Sequence, residues 1–517
     1  MAAARMRTPR ALLLLVASSL LGGTAGAAGF DLPILGPVAA GRGGAVTAGT
    51  ADLTAVDANP ALLFRVEGTD TLVVWGPIFN QLRYRRLPLY DWTWASSTQA
   101  PPTVQYPQIG NQTGAFPLGN LFVGAASDFG LADWTFAVAA YGPAAEGNNN
   151  FPADGPQRYM IVQREVMAAF YSFSAAWQPR ADLALGLSLQ YVDVSLLRIQ
   201  EVADANNQSS TIFPDTSPYD VLVEYEGADR FGYTATAGVW YRPRPFLELA
   251  AAGRLLSIPI DSEGTIKLTG QGDIVRGRTL TTYRRQGDEL VPDDRAGLDL
   301  DYAPSARLGV RYLHGGQPRP RFDVELDLAW EGWSVMQAYH FRTPDVARVE
   351  DLKIDVALTD LDVIRDWQDT WSVRLGGDVT LIPGRLEGRL GGFYESAAVP
   401  LSRTFLDFFS FDRLGLGGGL SLSLLDGGAQ LDLSYVHVFN EPRAVSEAEG
   451  EMLQQRPGAH CDPATGAGCD PHYPGRSGAV INAGTYLSGW DLLTLGLTLH
   501  WSRLLGQDPP AATTGAQ

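Results

Sequence analysis

Some fourteen stretches of this chain alternate apolar and polar residues with period two, and the segments joining them are alternately tight and long. The last stretch, DLLTLGLTLHWSRL, shows it most cleanly. Leu493, Leu495, Leu497, Leu499 and Trp501 fall on one face; Thr494, Gly496, Thr498, His500 and Ser502 fall on the other. Successive strand side chains point to opposite sides, so such a segment has one greasy and one polar face. DLALGLSLQY repeats the pattern with Leu183, Leu185, Leu187, Leu189 and Tyr191, and RLGLGGGLSLSLL with Leu416, Leu420, Leu422 and Leu424. Strands are predicted at 69–79, 117–127, 132–142, 160–177, 182–197, 231–242, 246–257, 299–313, 321–335, 370–382, 385–396, 412–425, 429–440 and 489–503.

A water-soluble sandwich also alternates, so the order of the connections has to decide. The short ones are turn-like: Ser127-Asp128, Gln178-Pro179-Arg180, Arg242 to Pro245, Gly315 to Pro318, Pro383-Gly384 and Asp426-Gly427-Gly428. The others are long, notably 80–116, 198–230, 258–298, 336–369 and 441–488. Short turns at one rim and long loops at the other mark an all-β fold, a transmembrane antiparallel barrel of the bacterial outer membrane. An even strand number leaves both termini on the short-turn, periplasmic side.

Charges recur on the polar face: Arg307 and Arg311, then Asp323, Glu325 and Asp327, then Arg374 and Asp378, then Glu387 and Arg389. Facing lipid, a charge would cost up to ~2–4 kcal/mol at the midplane, so these should face the lumen. Neighbouring strands can pair them there, filling and stiffening the wall rather than carrying a solute. Trp75, Trp134, Trp177, Trp240, Tyr312, Trp330, Trp371 and Trp501 sit at strand ends and suit interfacial girdles.

The first 27 residues read as a secretory signal: Arg5, Arg7 and Arg10, then ALLLLVASSLLGG, then Ala25-Gly26-Ala27. The apolar core is short of the ~20 residues a membrane helix needs. Cleavage would remove three arginines and shift the formal charge from −18 to −21. That balance argues against a nucleic-acid partner.

Residues 28–66 precede the first strand. In DANPALLF, Asn59 can cap a helix and Pro60 suits its first position, where the missing N–H is no loss. The segment AGFDLPILGPVAAGRGGAVTAGTADLTAVDANPALLF resembles the N-terminus of the long-chain fatty acid transporter family of outer-membrane proteins, which includes toluene transporters. The likeness lies in Ala28-Gly29-Phe30, Gly41-Arg42-Gly43-Gly44-Ala45, the Ala-rich stretch 51–58 and Asn59-Pro60-Ala61-Leu62; NLFVGAASDFG and WQPRADLALGLSLQYVDVSLLR extend it. Water channels carry two Asn-Pro-Ala motifs among apolar spans; this chain has one motif and no spans.

The resemblance implies a barrel of about 14 strands closed by an N-terminal plug, or hatch, containing short helices. The implied division is signal 1–27, hatch 28–66, barrel 67–504 and a disordered tail 505–517. The implied function is passive uptake of long-chain fatty acids or aromatic hydrocarbons, with hatch movement and sideways exit through the wall. Asn59, Pro60 and Ala61 would shape the hatch, and Phe30 its ligand-touching mobile part. The expected partners are those hydrophobic small molecules and the lipid and lipopolysaccharide of the outer membrane; a monomer is expected, with no cofactor or metal.

The loops that would bind ligand match no family motif. Ile212, Phe213, Pro214, Tyr219, Val221 and Leu222 form an apolar run in a polar loop, and Leu255, Leu256, Ile258 and Ile260 lead into the next. They could touch ligand or simply pack the loops. Cys461 and Cys469, with His460 and His472, could be drawn as a zinc site, but an exported chain favours a local disulfide. Two other classes stay open, a lipase-like barrel enzyme and a receptor without transport. No G-x-S-x-G stretch supports the enzyme, and His500 with Ser502 is its one suggested pair.

Overall fold

The computed structural model describes residues 32, 34–50, 52–90, 103–143, 147–205, 217–315, 320–454, 465 and 478–506. The barrel strands are β1 (Thr69–Trp75), β2 (Phe122–Ser127), β3 (Trp134–Tyr141), β4 (Gln163–Arg180), β5 (Leu183–Asp204), β6 (Asp220–Arg244) and β7 (Leu247–Arg254). They continue as β8 (Ser305–His314), β9 (Phe322–Glu331), β10 (Thr370–Ile382), β11 (Leu386–Glu395), β12 (Arg413–Leu424), β13 (Ala429–Asn440) and β14 (Gly489–His500). Each pairs antiparallel with its sequence neighbours. The sheet closes where β14 meets β1, from Asp70 opposite His500 to Trp75 opposite Leu495. Closure removes the exposed edges that an open sheet would leave in hydrocarbon.

The alternation does what the sequence requires. Leu185, Leu187, Leu189, Leu495 and Leu497 are exposed on the outside, while Ser188, Thr494 and Thr498 are buried inside. Trp75, Trp134, Trp177, Tyr312, Trp371 and Trp501 are exposed near strand ends, as girdle residues should be. Trp240 corrects that expectation. It shares the inward parity of Thr234 and Thr236, is 1% exposed, and packs on Phe64 with ring centroids 4.6 Å apart.

The segments read as long loops hold much more strand than expected. β5 runs on to Asp204 and β6 starts at Asp220. Strands Ile258–Gly270, Arg295–Tyr302, Ala338–Arg342 and Leu361–Ile364 then pair onto β6 in that order, raising one side of the wall. Their period was present: Ile258, Ser262, Ile266 and Leu268 are buried, and Asp261, Glu263 and Lys267 are exposed. Above the membrane the outer face meets water, so charge replaces leucine there and the segments resemble loops. The predicted stretch 299–313 accordingly splits between Arg295–Tyr302 and β8. At the other end β14 stops at His500, and Trp501–Leu504 forms a helical turn.

Residues 34–50 and 52–66 lie inside the barrel. Helix α1 (Gly36–Gly41) packs on β11 to β14, and a 3₁₀ helix (Pro60–Arg65) on β3 to β6, with α2 (Ala55–Ala58) leading into it.

Candidate functional site

Asn59 has an extended backbone, and its Oδ1 accepts from Ala61 N at 3.1 Å, capping the 3₁₀ helix that Pro60 opens. Its Nδ2 donates to Thr47 O at 2.7 Å and to Val239 O of β6 at 3.3 Å, so one amide serves cap, segment and wall. Glycine makes this approach feasible. A Cβ at Gly238 would fall 1.9 Å from Asn59 Oδ1, and one at Gly186 of β5 2.1 Å from Ala61 N. Further on, Arg65 donates to Ala48 O and Thr50 O and pairs with Glu248 of β7 at 2.9 Å.

Arg42 is the second anchor, fully buried. It pairs with Asp323 at 2.9 Å, Glu325 at 2.7 Å and Asp378 at 3.0 Å, while its Nε donates to Ala45 O. Asp327 Oδ2 accepts from Val46 N, Thr47 N and Thr47 Oγ1, and Glu325 Oε1 from Ala48 N at 2.6 Å. The alternating carboxylates of β9 therefore grip the lumenal segment, beyond stiffening the wall. They also pair along the wall, Asp323 with Arg311 at 2.8 Å. The desolvation of so many charges is offset by the donors that Asp323, Glu325 and Asp327 Oδ2 gain, although Asp327 Oδ1 and Asp378 Oδ1 find no hydrogen-bond donor among the described residues.

Two cavities bear on transport. The inner one, about 320 Å³, is bounded by the buried side chains of Tyr141, Phe170, Val192, Val194, Ile258 and Tyr302. Its walls also include Leu118, Val123, Met167 and Tyr171, which are exposed on the outside of the barrel. Its lining therefore includes side chains from both faces of the wall at β3 and β4. Their ladder ends at Tyr141 opposite Phe170, and strand Asn148–Asn150 resumes pairing only at Glu165. Among the described residues, no strand pairs with Met167–Ala169 on this side. The β4–β5 register shifts at the same place, between Met167 and Ala168. A small pocket of about 30 Å³ shares Tyr141, Phe170 and Tyr302 with this cavity and is bounded by Leu32, Ile34 and Leu35. That strip is held by Asn120, whose Oδ1 accepts from Gly36 N at 3.1 Å and whose Nδ2 donates to Ile34 O at 3.2 Å. The outer cavity, about 580 Å³, lies on the concave face of the raised wall.

Of the ligand candidates, Ile258 lines the inner cavity together with Ile260. Leu222 is half-buried against the apolar cluster holding Met160 and Phe405, Tyr219 is half-buried, and Leu256 is exposed. Phe30, Ile212, Phe213, Cys461 and Cys469, together with residues 1–27 and 507–517, lie outside the described residues. His500 Nδ1 bonds Asp70 Oδ1 at 2.8 Å, and Ser502 lies in the helical turn after the strand, so the suggested serine–histidine pair is not formed. Pattern reading missed Arg42, Arg65, Asn120 and the wall glycines.

A closed 14-strand antiparallel barrel with a greasy belt, a lumen holding its own N-terminal segment and a mainly apolar cavity at the β3–β4 wall define an outer-membrane transport barrel. The chain belongs to the outer membrane protein transport protein family (OMPP1/FadL/TodX), whose model matches residues 18–463. A FadL homologue of Pseudomonas aeruginosa is similar over 92% of this chain and 100% of its own, at TM-score 0.68 and 14% identity. The toluene transporter TbuX of Ralstonia pickettii is similar over 91% and 100%, at 0.57 and 14%. The toluene transporter TodX of Pseudomonas putida is similar over 91% and 99%, at 0.57 and 11%. At such identities the likeness is one of fold. No curated protein sequence matches the chain.

Proposed function

We propose that the protein admits hydrophobic small molecules, long-chain fatty acids or aromatic hydrocarbons, passively across the outer membrane and releases them sideways between β3 and β4. The observation that carries this reading is the inner cavity, predominantly apolar and bounded by both lumenal and lipid-facing side chains. Lipopolysaccharide resists such solutes and a water-filled pore offers them no favourable surroundings, so a greasy path that leaves through the wall answers both.

In this reading residues 28–66 are the hatch, and Asn59, Pro60 and Ala61 fix its shape against Gly186 and Gly238. The part that moves is the strip before Gly36. Two hydrogen bonds to Asn120 hold it, whereas Arg42 and residues 46–48 are tied to three carboxylates of β9. A ligand entering above Leu32–Leu35 would shift the strip only by binding its displaced state more tightly. Cells carrying the protein should take up labelled toluene or fatty acid faster than cells lacking it. Equal uptake, with the barrel correctly inserted, would sink the proposal.

A further inference from the structure

The outer cavity differs from the inner one in having a polar floor. Glu201 of β5 faces into it beside Ile199 and Ala203. It lies ten residues beyond Tyr191, the last lipid-exposed aromatic of that strand, and so roughly 33 Å further along it, above the membrane. Arg365 reaches the same floor, its guanidinium 4.1 Å from the Tyr339 ring centroid and 4.6 Å from that of Phe405. Arg365 Nη2 pairs with Asp407 Oδ2, and Asp407 Oδ1 accepts from Phe408 N, so each oxygen of that carboxylate has a donor.

The remaining groups differ. Arg365 Nε and Nη1 and the Tyr339 hydroxyl are buried with no hydrogen-bond partner among the described residues. Arg365 is 1% and Tyr339 3% exposed, so water does not satisfy them freely. Buried donors left unpaired are costly, and a bound head group that accepts from one of them would recover part of that cost. Among the described residues Glu201 has no ion-pair partner. Arg403, the other cation at the cavity, is taken by Asp366 and Glu451.

We propose that this cavity selects hydrophobic molecules carrying a hydroxyl head, an alcohol or a phenol, over bare hydrocarbons. The hydroxyl oxygen would accept from Arg365 or Tyr339, and its proton would be donated to Glu201, while the tail lies along Ile266, Leu298 and Phe341. A carboxylate head would meet Glu201 and Asp407 with Arg365 already neutralised. Burial and the Asp407 carboxylate push Glu201 up to about 8, against the pull of Arg365. Below that pH a neutral Glu201 can still donate to a carboxylate; above it two anions repel. The hydroxyl head suits both states. This selectivity rests on the transport reading but is measured by binding alone.

The test uses the full protein in lipid nanodiscs, with 1-decanol, decane and decanoate as probes and empty nanodiscs subtracted. Decanol should bind more tightly than decane. Tyr339→Phe and Glu201→Leu should each weaken decanol roughly three- to tenfold and leave decane no weaker, as the loss of one hydrogen bond requires. Decanoate should bind less well at pH ~9.5 than at pH ~6.5 in the wild type but not in Glu201→Leu. Equal wild-type affinities for decanol and decane, or decanol binding unmoved by both variants, overturns the proposal, as does decanoate binding that is flat with pH. If cells still take up hydrocarbon in that case, the head-group selectivity falls and the transport reading stands. Absent uptake of every probe removes the transport reading instead.

Discussion

Arg42 shows how much one side chain can carry. It is the only guanidinium that reaches Asp323, Glu325 and Asp378 from the segment, and removing it leaves Glu325 buried with Ala48 N as its remaining donor in the segment. Arg42→Met should therefore cost about 3–5 kcal/mol, the usual cost of stripping one partner from a buried charge cluster. Thermal unfolding of the reconstituted barrel would measure it, and limited proteolysis should newly cut within residues 36–66. Arg42→Lys keeps the charge without the planar fork and should fall between. A Met variant as stable and as resistant as wild type would refute this role. Asn59 was legible in sequence because its cap partner lies two residues away. The partners of Arg42 lie some 281 residues along the chain, and no local pattern reveals them.

At the scale of the element, the decisive feature is the interrupted pairing of β4 with β3. A transmembrane strand normally satisfies every backbone group through its neighbours, so the missing pairing beside Met167–Ala169 among the described residues is tolerable only where it lines a cavity. Ala168 and Ala169 are the small side chains at that opening. Ala168→Trp should close it and cut uptake at least tenfold while the barrel still inserts. Uptake unchanged in a correctly inserted variant would mean that ligand leaves by another route. All fourteen barrel strands were readable because lipid on one side and a polar lumen on the other enforce period two. The raised wall above them was not, since charges such as Asp261, Glu263 and Lys267 on its outer face imitate a loop. Trp240 was misplaced for a related reason: an aromatic near a strand end suits either interface or interior, and parity has to decide.

Taken whole, the molecule is a closed wall around a separate polypeptide core, and the two are stabilised differently. Closure depends on the β1–β14 ladder, which the lumenal segment does not enter. Fourteen strands are more than side chains alone can fill, since eight already leave an interior just filled and sixteen to eighteen an open channel. The wall is moreover thinned by Gly186, Gly238, Gly376 and Gly391 where the segment approaches, so its own residues cannot fill the lumen. Deleting residues 36–66 should then turn the protein into a water-filled pore. Asp323, Glu325, Asp327 and Glu248 would be freed from Arg42, Arg65 and the segment's backbone donors and become solvated lumenal carboxylates. Arg311 is the wall cation shared between Asp323 and Glu248, so negative charge would dominate the opened lumen. Rings of carboxylates favour cations. Planar-bilayer recordings should show conductance steps absent from the intact protein, with a reversal potential displaced toward cation selectivity in a salt gradient. A properly inserted deletion variant that stayed silent would show that the wall, rather than the segment, closes the barrel.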